Sequence, residues 1–495
     1  MAKPVDAPPD AALTHRRAPV EVDPTEFRTV GHALIEQIAG YLEAMPGRAI
    51  VPTAPSDVRA RVQAIPWIAD GEPLEAVVAS AASLLLDHST LTSHPRFWGY
   101  INGAASPIAA LADLLGTAAN PNASAWYVGP VTSAMEEQVV QWLAALTGFP
   151  AGCGGTLVSG GSMANLVGLA AARHALGAPP GALRIYASRD THTWLAKAEA
   201  FLGLGAGAIR WIEPAPDGQI TLDAVHAAVD ADTALAGSAP TVIVASAGTT
   251  STGAIDPIDA LADMCDARGL WLHVDGAYGA PAACLPEAPV ALRAIGRAHS
   301  LVLDPHKWLY TSIEAGCVLI RDRRVLPAAF THGSPYYGEG QGELPPHFRD
   351  LGPQTSRGAR AVKVWMCLRR AGRAGYEAMI RDDIALAHLA FDHARTMKRL
   401  EALTCSLSIT TFRYVPDDGV KDPAYVDDLN AEIIRRLQEE GEVYPSKTTV
   451  NDRISIRICI VNFRTTRADI ERLLRLVVET GDALHCDRGG ASARS

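Results

Sequence analysis

Residues 300–308 read Ser-Leu-Val-Leu-Asp-Pro-His-Lys-Trp, a short apolar run followed directly by charged and polar residues. A continuous apolar run of this length is typical of a strand that is buried on both faces of a sheet. Lys307 then lies just beyond the carboxyl end of the strand. A lysine in apolar surroundings is costly unless it is paired, neutralised or bonded. A salt-bridged lysine and a lysine that forms an imine with an aldehyde both meet this requirement.

The middle of the chain repeats this pattern of apolar strands separated by helical segments. The predicted strands begin at Arg184, Ala208, Thr241, Leu270, Ser300 and Gly316. Such alternation predicts an α/β domain with a mainly parallel central sheet. Ligands of these sheets bind at the carboxyl ends of the strands, so the polar residues at those ends are the candidates for a functional site.

Length and composition indicate several domains. The chain has 495 residues, of which 48% are hydrophobic and 20% charged, and two or three domains are expected. Residues 1–22 are rich in alanine, proline and charge and are predicted to be a disordered tail. Residues 23–95 are predicted to be an N-terminal helical segment that starts at the capping residue Asp23. Residues 96–385 form the predicted large domain, and 386–495 a small C-terminal α+β domain.

The C-terminal prediction depends on two apolar runs and two helical patterns. The runs at 406–414 and 454–460 predict strands, and the patterns at 426–440 and 467–482 predict helices. Residues 331–358 carry many glycines and prolines and predict a long irregular loop, which in a compact domain is usually functional or disordered.

Charge, hydropathy and cysteine spacing exclude several classes of protein. The net charge of −10 argues against a nucleic-acid-binding surface and against docking on anionic lipid. No apolar run is long enough to predict a membrane span, and the N-terminus lacks the apolar core of a secretory signal. The eight cysteines form no CxxC pair, so no zinc or redox motif is present. We therefore expect a cytoplasmic protein with free thiols and no metal.

Two segments place an acidic residue and glycines at other strand ends. Asp275 ends a predicted strand and precedes Gly-Ala277-Tyr-Gly, small residues against which a flat ring could lie. An aspartate there is by itself more often a turn or cap residue. With Lys307 only 32 residues later (307 − 275) it could keep a pyridine nitrogen protonated. Gly161-Ser162, before a helical run, could bind a phosphate at a helix N-terminus, although a simple turn is the commoner explanation.

Three more polar residues follow predicted strands. His192 could stack on a cofactor ring and move a proton, or it could be a surface or capping histidine. Ser246 and Thr249 end another strand and could bind a hydroxyl or phosphate oxygen. Together with Lys307 and Asp275, these residues offer contacts to the phosphate, ring nitrogen and aldehyde of one cofactor.

These motifs resemble the group II pyridoxal-phosphate decarboxylases, the family of aromatic-L-amino-acid, histidine and glutamate decarboxylases, over nearly the whole chain. The matching motifs are His94-Pro-Arg-Phe-Trp-Gly-Tyr, Ser-Gly-Gly-Ser162, His192, Ala-Gly-Thr-Thr250, His273-Val-Asp275-Gly-Ala277, Asp304-Pro-His-Lys307-Trp and Ser356-Arg-Gly-Ala-Arg-Ala-Val-Lys363-Val-Trp. The resemblance implies an aspartate aminotransferase-like fold type I and pyridoxal 5′-phosphate as cofactor. It also implies a homodimer whose N-terminal helices wrap over the partner, with active sites at the interface.

The resemblance implies a role for each site residue: Lys307 carries the cofactor as a Schiff base, Asp275 contacts the ring nitrogen, and His192 and Ala277 lie on opposite faces of the ring. The full set of implied cofactor-binding residues is Lys307, Asp275, Ala277, Gly161, Ser162, His192, Ser246, Thr249 and His306. In the family a loop also brings a tyrosine, often from the other subunit, to protonate the α-carbon. Spacing from the loop proline favours Tyr337 over Tyr336, and an exposed loop tyrosine without a role is the alternative.

Two departures from the animal aromatic decarboxylases concern the substrate and the phosphate. Ser124 stands where those enzymes have a pocket phenylalanine, and Asp304 stands where they have asparagine near the phosphate. Since a carboxylate beside a phosphate is unfavourable, we expect Asp304 to face a backbone N–H or an arginine instead. The candidate substrate-pocket residues are Trp98, Tyr100, Ser124 and Trp126, although buried aromatic residues are more often part of the core.

The sequence thus predicts an enzyme that decarboxylates an L-amino acid, with an aromatic substrate preferred. The alternatives are an aldehyde synthase, which couples decarboxylation to oxidative deamination, another fold type I activity such as an aminotransferase, and a catalytically silent scaffold. The two loop tyrosines argue against the synthase, and the intact Lys307, Asp275 and His192 argue against the scaffold.

Overall fold

The computed structural model describes residues 18–179, 181–237, 239–333, 345–418 and 422–492. Contacts between Cα atoms divide the chain into two compact units, one that ends at Leu91 and one that begins at Thr92. Most of the predicted disordered tail lies outside the described residues. No helix within the described ranges is both long and apolar enough to cross a bilayer.

The first unit is helical. Its described residues form α1 (Pro24–Ala44), α2 (Pro55–Gln63) and α3 (Leu74–His88). The predicted start of α1 is confirmed, because the Asp23 carboxylate accepts hydrogen bonds from the backbone N–H groups of Thr25 at 2.8 Å and Glu26 at 3.4 Å. None of the α1 residues is buried, and two of its large apolar side chains, Phe27 and Ile35, are exposed.

A mainly parallel sheet forms the centre of the second unit, as predicted. Its described strands are β1 (Gly154–Val158), β2 (Arg184–Ser188), β3 (Ile209–Ile212), β4 (Thr241–Ser246), β5 (Trp271–Asp275), β6 (Ser300–Leu303) and β7 (Gly316–Ile320). The strand order is β1-β7-β6-β5-β4-β2-β3. β7 runs antiparallel to both of its neighbours, β1 and β6, and the other described strand pairs are parallel. The short β1 was not predicted, because glycine makes up two of its five residues and masks the apolar pattern.

Helices cover both faces of this sheet. The helices of this region are α4 (Pro107–Ala119), α5 (Pro130–Thr147), α6 (Gly161–Ala175), α7 (Trp194–Phe201), α8 (Leu222–Ala236), α9 (Ile258–Arg268), α10 (Val290–Arg293), α11 (Val325–Phe330) and α12 (Arg360–Thr396). Of these, α4 packs against α12 rather than on the sheet. Alternate residues of β4 enter different cores: Ile243 packs in the core that includes α5 and α9, and Val242 packs in the core that includes α6 and α7. Because both faces are buried, the strands are continuous apolar runs rather than alternating ones.

A second sheet is formed by the C-terminal residues. In the described residues it has four antiparallel strands, β8 (Leu400–Ser406), β9 (Ile409–Tyr414), β10 (Ser446–Val450) and β11 (Arg453–Cys459), in the order β10-β11-β9-β8. Helices α13 (Pro423–Glu440) and α14 (Arg467–Ser492) accompany it. The predicted single strand at 406–414 is instead the turn and second strand of a hairpin. Its turn contains Leu407 at φ 51°, a residue type that gives no turn signal.

The predicted domain boundary at 385/386 falls inside α12. This helix is continuous there, and its non-helical residue is Gly372, at φ 64° and ψ 171°. The boundary between the large and small domains therefore stays a prediction.

Candidate active site

A cavity of about 390 Å³ opens at the carboxyl ends of β4, β5 and β6. The parallel register of the strands places their last residues side by side at the cavity. Ser246, the last residue of β4, is the register partner of Asp275, the last residue of β5. Every residue predicted to hold the cofactor lines this cavity: Gly161, Ser162, His192, Ser246, Thr249, Asp275, Ala277, His306 and Lys307. The tertiary structure therefore brings together residues that are spread over nearly 150 positions of the chain.

The amine of Lys307 faces a buried carboxylate. Its Nζ lies 3.1 Å from Oδ2 of Asp304, whose side chain is only 1% exposed. Nε2 of His306 lies 3.6 Å from the same oxygen. Neither Asp304 oxygen has a well-aligned hydrogen bond among the described residues. The expectation that Asp304 faces a backbone N–H or an arginine is therefore wrong, because its carboxylate turns toward the lysine instead.

Glycines allow the backbone segments around Lys307 to approach closely. A Cβ at Gly103 would lie 1.9 Å from the carbonyl oxygen of Lys307, and a Cβ at Gly161 would lie 2.7 Å from Oδ2 of Asp304. Both distances are far inside van der Waals contact, so neither position can hold a side chain without a shift of its neighbours. Gly103 gave no signal in the sequence, because its contact partner is about 200 residues away.

The Asp275 carboxylate is held through both oxygens. Oδ1 accepts a hydrogen bond from the backbone N–H of Ala277 at 3.2 Å. Oδ2 accepts a hydrogen bond from the indole Nε1–H of Trp194 at 2.6 Å. Asp275 is buried, with 9% of its surface exposed, so these two donors replace the water that a carboxylate needs.

Two histidines in the cavity are neutral and share one tautomer. Nδ1 of His192 accepts a hydrogen bond from the backbone N–H of Trp194 at 3.2 Å, and Nδ1 of His306 accepts one from Ala315 at 3.0 Å. Burial is the main cause that lowers the pKa of each ring, although Asp275 partly opposes this at His192. Because Nδ1 is the acceptor in each ring, the proton resides on Nε2.

The N-terminus of α6 is open to an anion. Its N-cap is Gly160, and no side chain caps the helix. The first N–H groups of a helix have no partner within it, so those of Gly161 and Ser162 are available to an anionic group. Thr249, by contrast, already has a partner within the protein. Its hydroxyl accepts a hydrogen bond from the N–H of Ala254 at 3.1 Å, which stabilises the turn between these two residues.

The predicted substrate-pocket residues do not line this cavity. Trp98 is fully buried, and its indole donates a hydrogen bond to the Thr465 hydroxyl at 3.1 Å. Tyr100 is 62% exposed, and Ser124 is buried but is not among the residues that line the cavity. Trp126 lines a different cavity. Their role in substrate binding stays a prediction. Tyr336 and Tyr337 lie outside the described residues.

The structure adds cavity residues that were not predicted. They are Ile101, Ser159, Gly160, Met163, Asn165, Trp194, Gly248, Thr250, Tyr278, Asp304, Ile313 and Glu314. Trp194 could have been considered from its position two residues after His192. Ile313 and Glu314 carry no sequence signal beyond their distance from Lys307.

Comparison with known proteins identifies the family. Residues 60–414 match the conserved domain of the pyridoxal-dependent decarboxylases. The chain belongs to this family. This decarboxylase is 30% identical to the aromatic-L-amino-acid decarboxylase of Bacillus atrophaeus over 463 residues, which are 92% of this chain and 95% of the relative. It is also 30% identical to the L-2,4-diaminobutyrate decarboxylase of Rhizobium meliloti over 420 residues, 84% of this chain and 83% of the relative.

A solved structure shows the same fold. The tryptophan decarboxylase of Catharanthus roseus, crystallised with L-tryptophan, has a TM-score of 0.84 and 28% identity, and the match covers 94% of this chain and 99% of that one. The decarboxylase is therefore a fold type I enzyme that uses pyridoxal phosphate to decarboxylate an amino acid. Its cavity fits that cofactor chemically, because the Lys307 amine, the buried Asp275 carboxylate and the uncapped N-terminus of α6 line the same space. A second buried carboxylate, that of Asp304, also lines it.

Proposed function

We propose that this decarboxylase converts an aromatic L-amino acid to its amine and carbon dioxide, and that it acts as a cytoplasmic homodimer. The observation that carries the proposal is the convergence of Lys307, Asp275 and the N-terminus of α6 in one cavity. A cytoplasmic location is supported by the cysteines, since all eight are free thiols.

Lys307 would hold the cofactor through its amine, and Asp275 would face the ring nitrogen. The N–H groups of Gly161 and Ser162 would bind the phosphate. When bound, the cofactor supplies an electron sink for the electron pair of the broken carbon–carbon bond. The buried negative charge of Asp275 would favour the protonated form of the cofactor's ring nitrogen, and a protonated ring accepts electrons more readily.

The remaining chemistry belongs to proton donors of the chain. The neutral ring of His192 can pack on a flat ring, and its Nε2–H can donate into the cavity. A loop tyrosine, Tyr337 or Tyr336, would deliver a proton to the α-carbon after the carboxylate leaves. A side chain held within hydrogen-bond reach of the α-carbon would deliver this proton more effectively than bulk solvent.

The cavity walls support an aromatic substrate. Ile101, Met163 and Ile313 contribute apolar side chains to the cavity lining. A diaminobutyrate side chain would instead need a free carboxylate for its ammonium group. Of the carboxylates near Lys307, Glu314 accepts a hydrogen bond from Arg360 at 2.8 Å, and Asp304 lies 3.1 Å from the Lys307 amine. The names of the Bacillus atrophaeus and Catharanthus roseus relatives agree with the aromatic choice.

The homodimer is supported by an exposed apolar face. On α4, Leu111, Leu114 and Leu115 are each more than half exposed, and their spacing places them on one side of the helix. Large apolar side chains clustered on one surface typically mark an interface. Analytical ultracentrifugation should give the mass of a dimer, and Leu114→Glu should shift the protein toward monomer. A wild-type monomer would contradict this part of the proposal.

A product screen by mass spectrometry tests the activity. The cofactor-loaded enzyme is incubated with each common L-amino acid, with dihydroxyphenylalanine and with 2,4-diaminobutyrate, and Lys307→Ala serves as the inactive control. An amine from an aromatic substrate is expected. Conversion of diaminobutyrate alone would overturn the substrate class. Aldehyde with ammonia, or a keto acid, would instead indicate an aldehyde synthase or an aminotransferase.

A further inference from the structure

Trp194 is the first residue of α7 and makes two contacts with the site. Its backbone N–H donates to Nδ1 of His192 at 3.2 Å. Its indole Nε1–H donates to Oδ2 of Asp275 at 2.6 Å. Thus one residue contacts both of the groups that would lie against the cofactor ring, one through its main chain and one through its side chain.

The indole is fixed by its surroundings. Trp194 is only 2% exposed, and its ring meets the ring of His273 edge to face, with centroids 5.8 Å apart. His273 is itself held at both nitrogens, by Ser300 at 2.7 Å and by Asn165 at 2.8 Å. A tryptophan in this packed position cannot rotate away, so its N–H stays directed at the carboxylate.

The Trp194 donor affects the orientation of Asp275 because an aspartate carboxylate rotates easily about its terminal bond, χ2. The Ala277 contact to Oδ1 is longer, at 3.2 Å. Hydrogen bonds to an ionised acceptor are stronger than neutral ones. The Trp194 bond is therefore the dominant restraint on which lone pair of Asp275 faces the cavity.

We propose that Trp194 is a positioning residue that orients the Asp275 carboxylate for the cofactor ring. The inference rests on the proposed role of Asp275. Loss of an outer hydrogen bond that orients a ligating group typically weakens binding roughly 10- to 100-fold, a range known from metal sites. We expect a similar loss of cofactor affinity when only the indole N–H is removed.

The test variant is Trp194→Phe, which keeps an aromatic ring and the backbone bond to His192 but lacks the N–H donor. The matched control is Trp271→Phe. Trp271 is also buried, and its Nε1–H donates to the neutral Ser300 hydroxyl at 2.8 Å. Because Ser300 donates its own proton to Nδ1 of His273, that bond remains when the Trp271 donor is lost. The dissociation constant of pyridoxal phosphate is measured with each apoenzyme, together with visible-region circular dichroism of the bound cofactor and the unfolding temperature of the apoenzyme.

Trp194→Phe should raise the dissociation constant roughly 10- to 100-fold and alter the dichroism, whereas Trp271→Phe should leave both near the wild-type values. Both variants should lower the unfolding temperature of the apoenzyme to a similar extent. Trp194→His, which restores a ring N–H, should recover part of the affinity. Equal affinities for the two phenylalanine variants would overturn the inference, because the indole would then have only a packing role.

Asp275→Asn separates this inference from the proposed function. If Trp194 acts through Asp275, then Trp194→Phe should change the cofactor affinity little in the Asp275→Asn background. Fully additive effects would refute the positioning role and leave the proposed function intact. If Asp275→Asn itself binds the cofactor normally, the proposed role of Asp275 fails, and the inference fails with it.

Discussion

Replacement of Arg357 by methionine should destabilise the decarboxylase by several kcal/mol, because it breaks a buried ion pair. Arg357 and Glu136 have side chains that are 3% and 1% exposed, with Nη2 and Oε1 2.6 Å apart. The guanidinium also donates to the carbonyl oxygens of Ala123 at 3.1 Å and Leu157 at 2.6 Å. It thus joins α5 and the end of β1 to the segment before α12.

The magnitude follows from what the substitution leaves behind. Methionine fills much of the same space, but the Glu136 carboxylate stays buried without its cation. Removal of one partner of a buried pair costs about 3–5 kcal/mol. At about 2.1 cal/mol/K of unfolding entropy per residue, a 495-residue chain would lose roughly 3–5 °C of unfolding temperature.

The assay is thermal unfolding of the apoenzyme, arranged as a double-mutant cycle with Glu136→Leu. The double variant should be clearly more stable than Arg357→Met alone, because it leaves no unpaired charge. Arg467→Met is the surface control. Its pair with Glu471 is 67% and 37% exposed, so its loss should cost at most about 1 kcal/mol. If Arg357→Met behaves like the surface control, the buried pair is not a major restraint.

Three further outcomes are expected. Gly103→Ala should weaken cofactor binding and slow turnover, because its Cβ would lie 1.9 Å from the Lys307 carbonyl oxygen; a normal dissociation constant and turnover would contradict this. Burial lowers the pKa of His273 from 6.5 to about 4, so below pH 6.5 the unfolded chain binds a proton that the folded protein does not. Stability should therefore fall by about 3 kcal/mol between pH 6.5 and pH 4, and unfolding curves of His273→Gln should lack that component. Tyr337→Phe should slow amine formation and raise aldehyde and ammonia in the product screen, whereas an unchanged product profile would favour Tyr336.

Much of the site could be predicted because it follows a local rule. Polar residues that directly follow buried apolar runs, such as Lys307 and Asp275, come to one edge of a parallel sheet whatever the details of the packing. The uncapped glycine turn before α6 is also a local feature. The sequence by itself therefore determined three things: the fold class, the edge of the sheet at which the site lies, and the kind of cofactor that these residues would bind.

Only the tertiary structure decided which side chains complete the site. The Trp194 indole meets Asp275 across 81 residues, and Arg357 meets Glu136 across 221. The Asp304 carboxylate turns to Lys307 rather than to a backbone N–H, and Trp98 packs in the core rather than in the cavity. The physical reason is common to all four: periodicity and spacing report which face of an element a residue occupies, whereas hydrogen-bond partners depend on how distant elements pack.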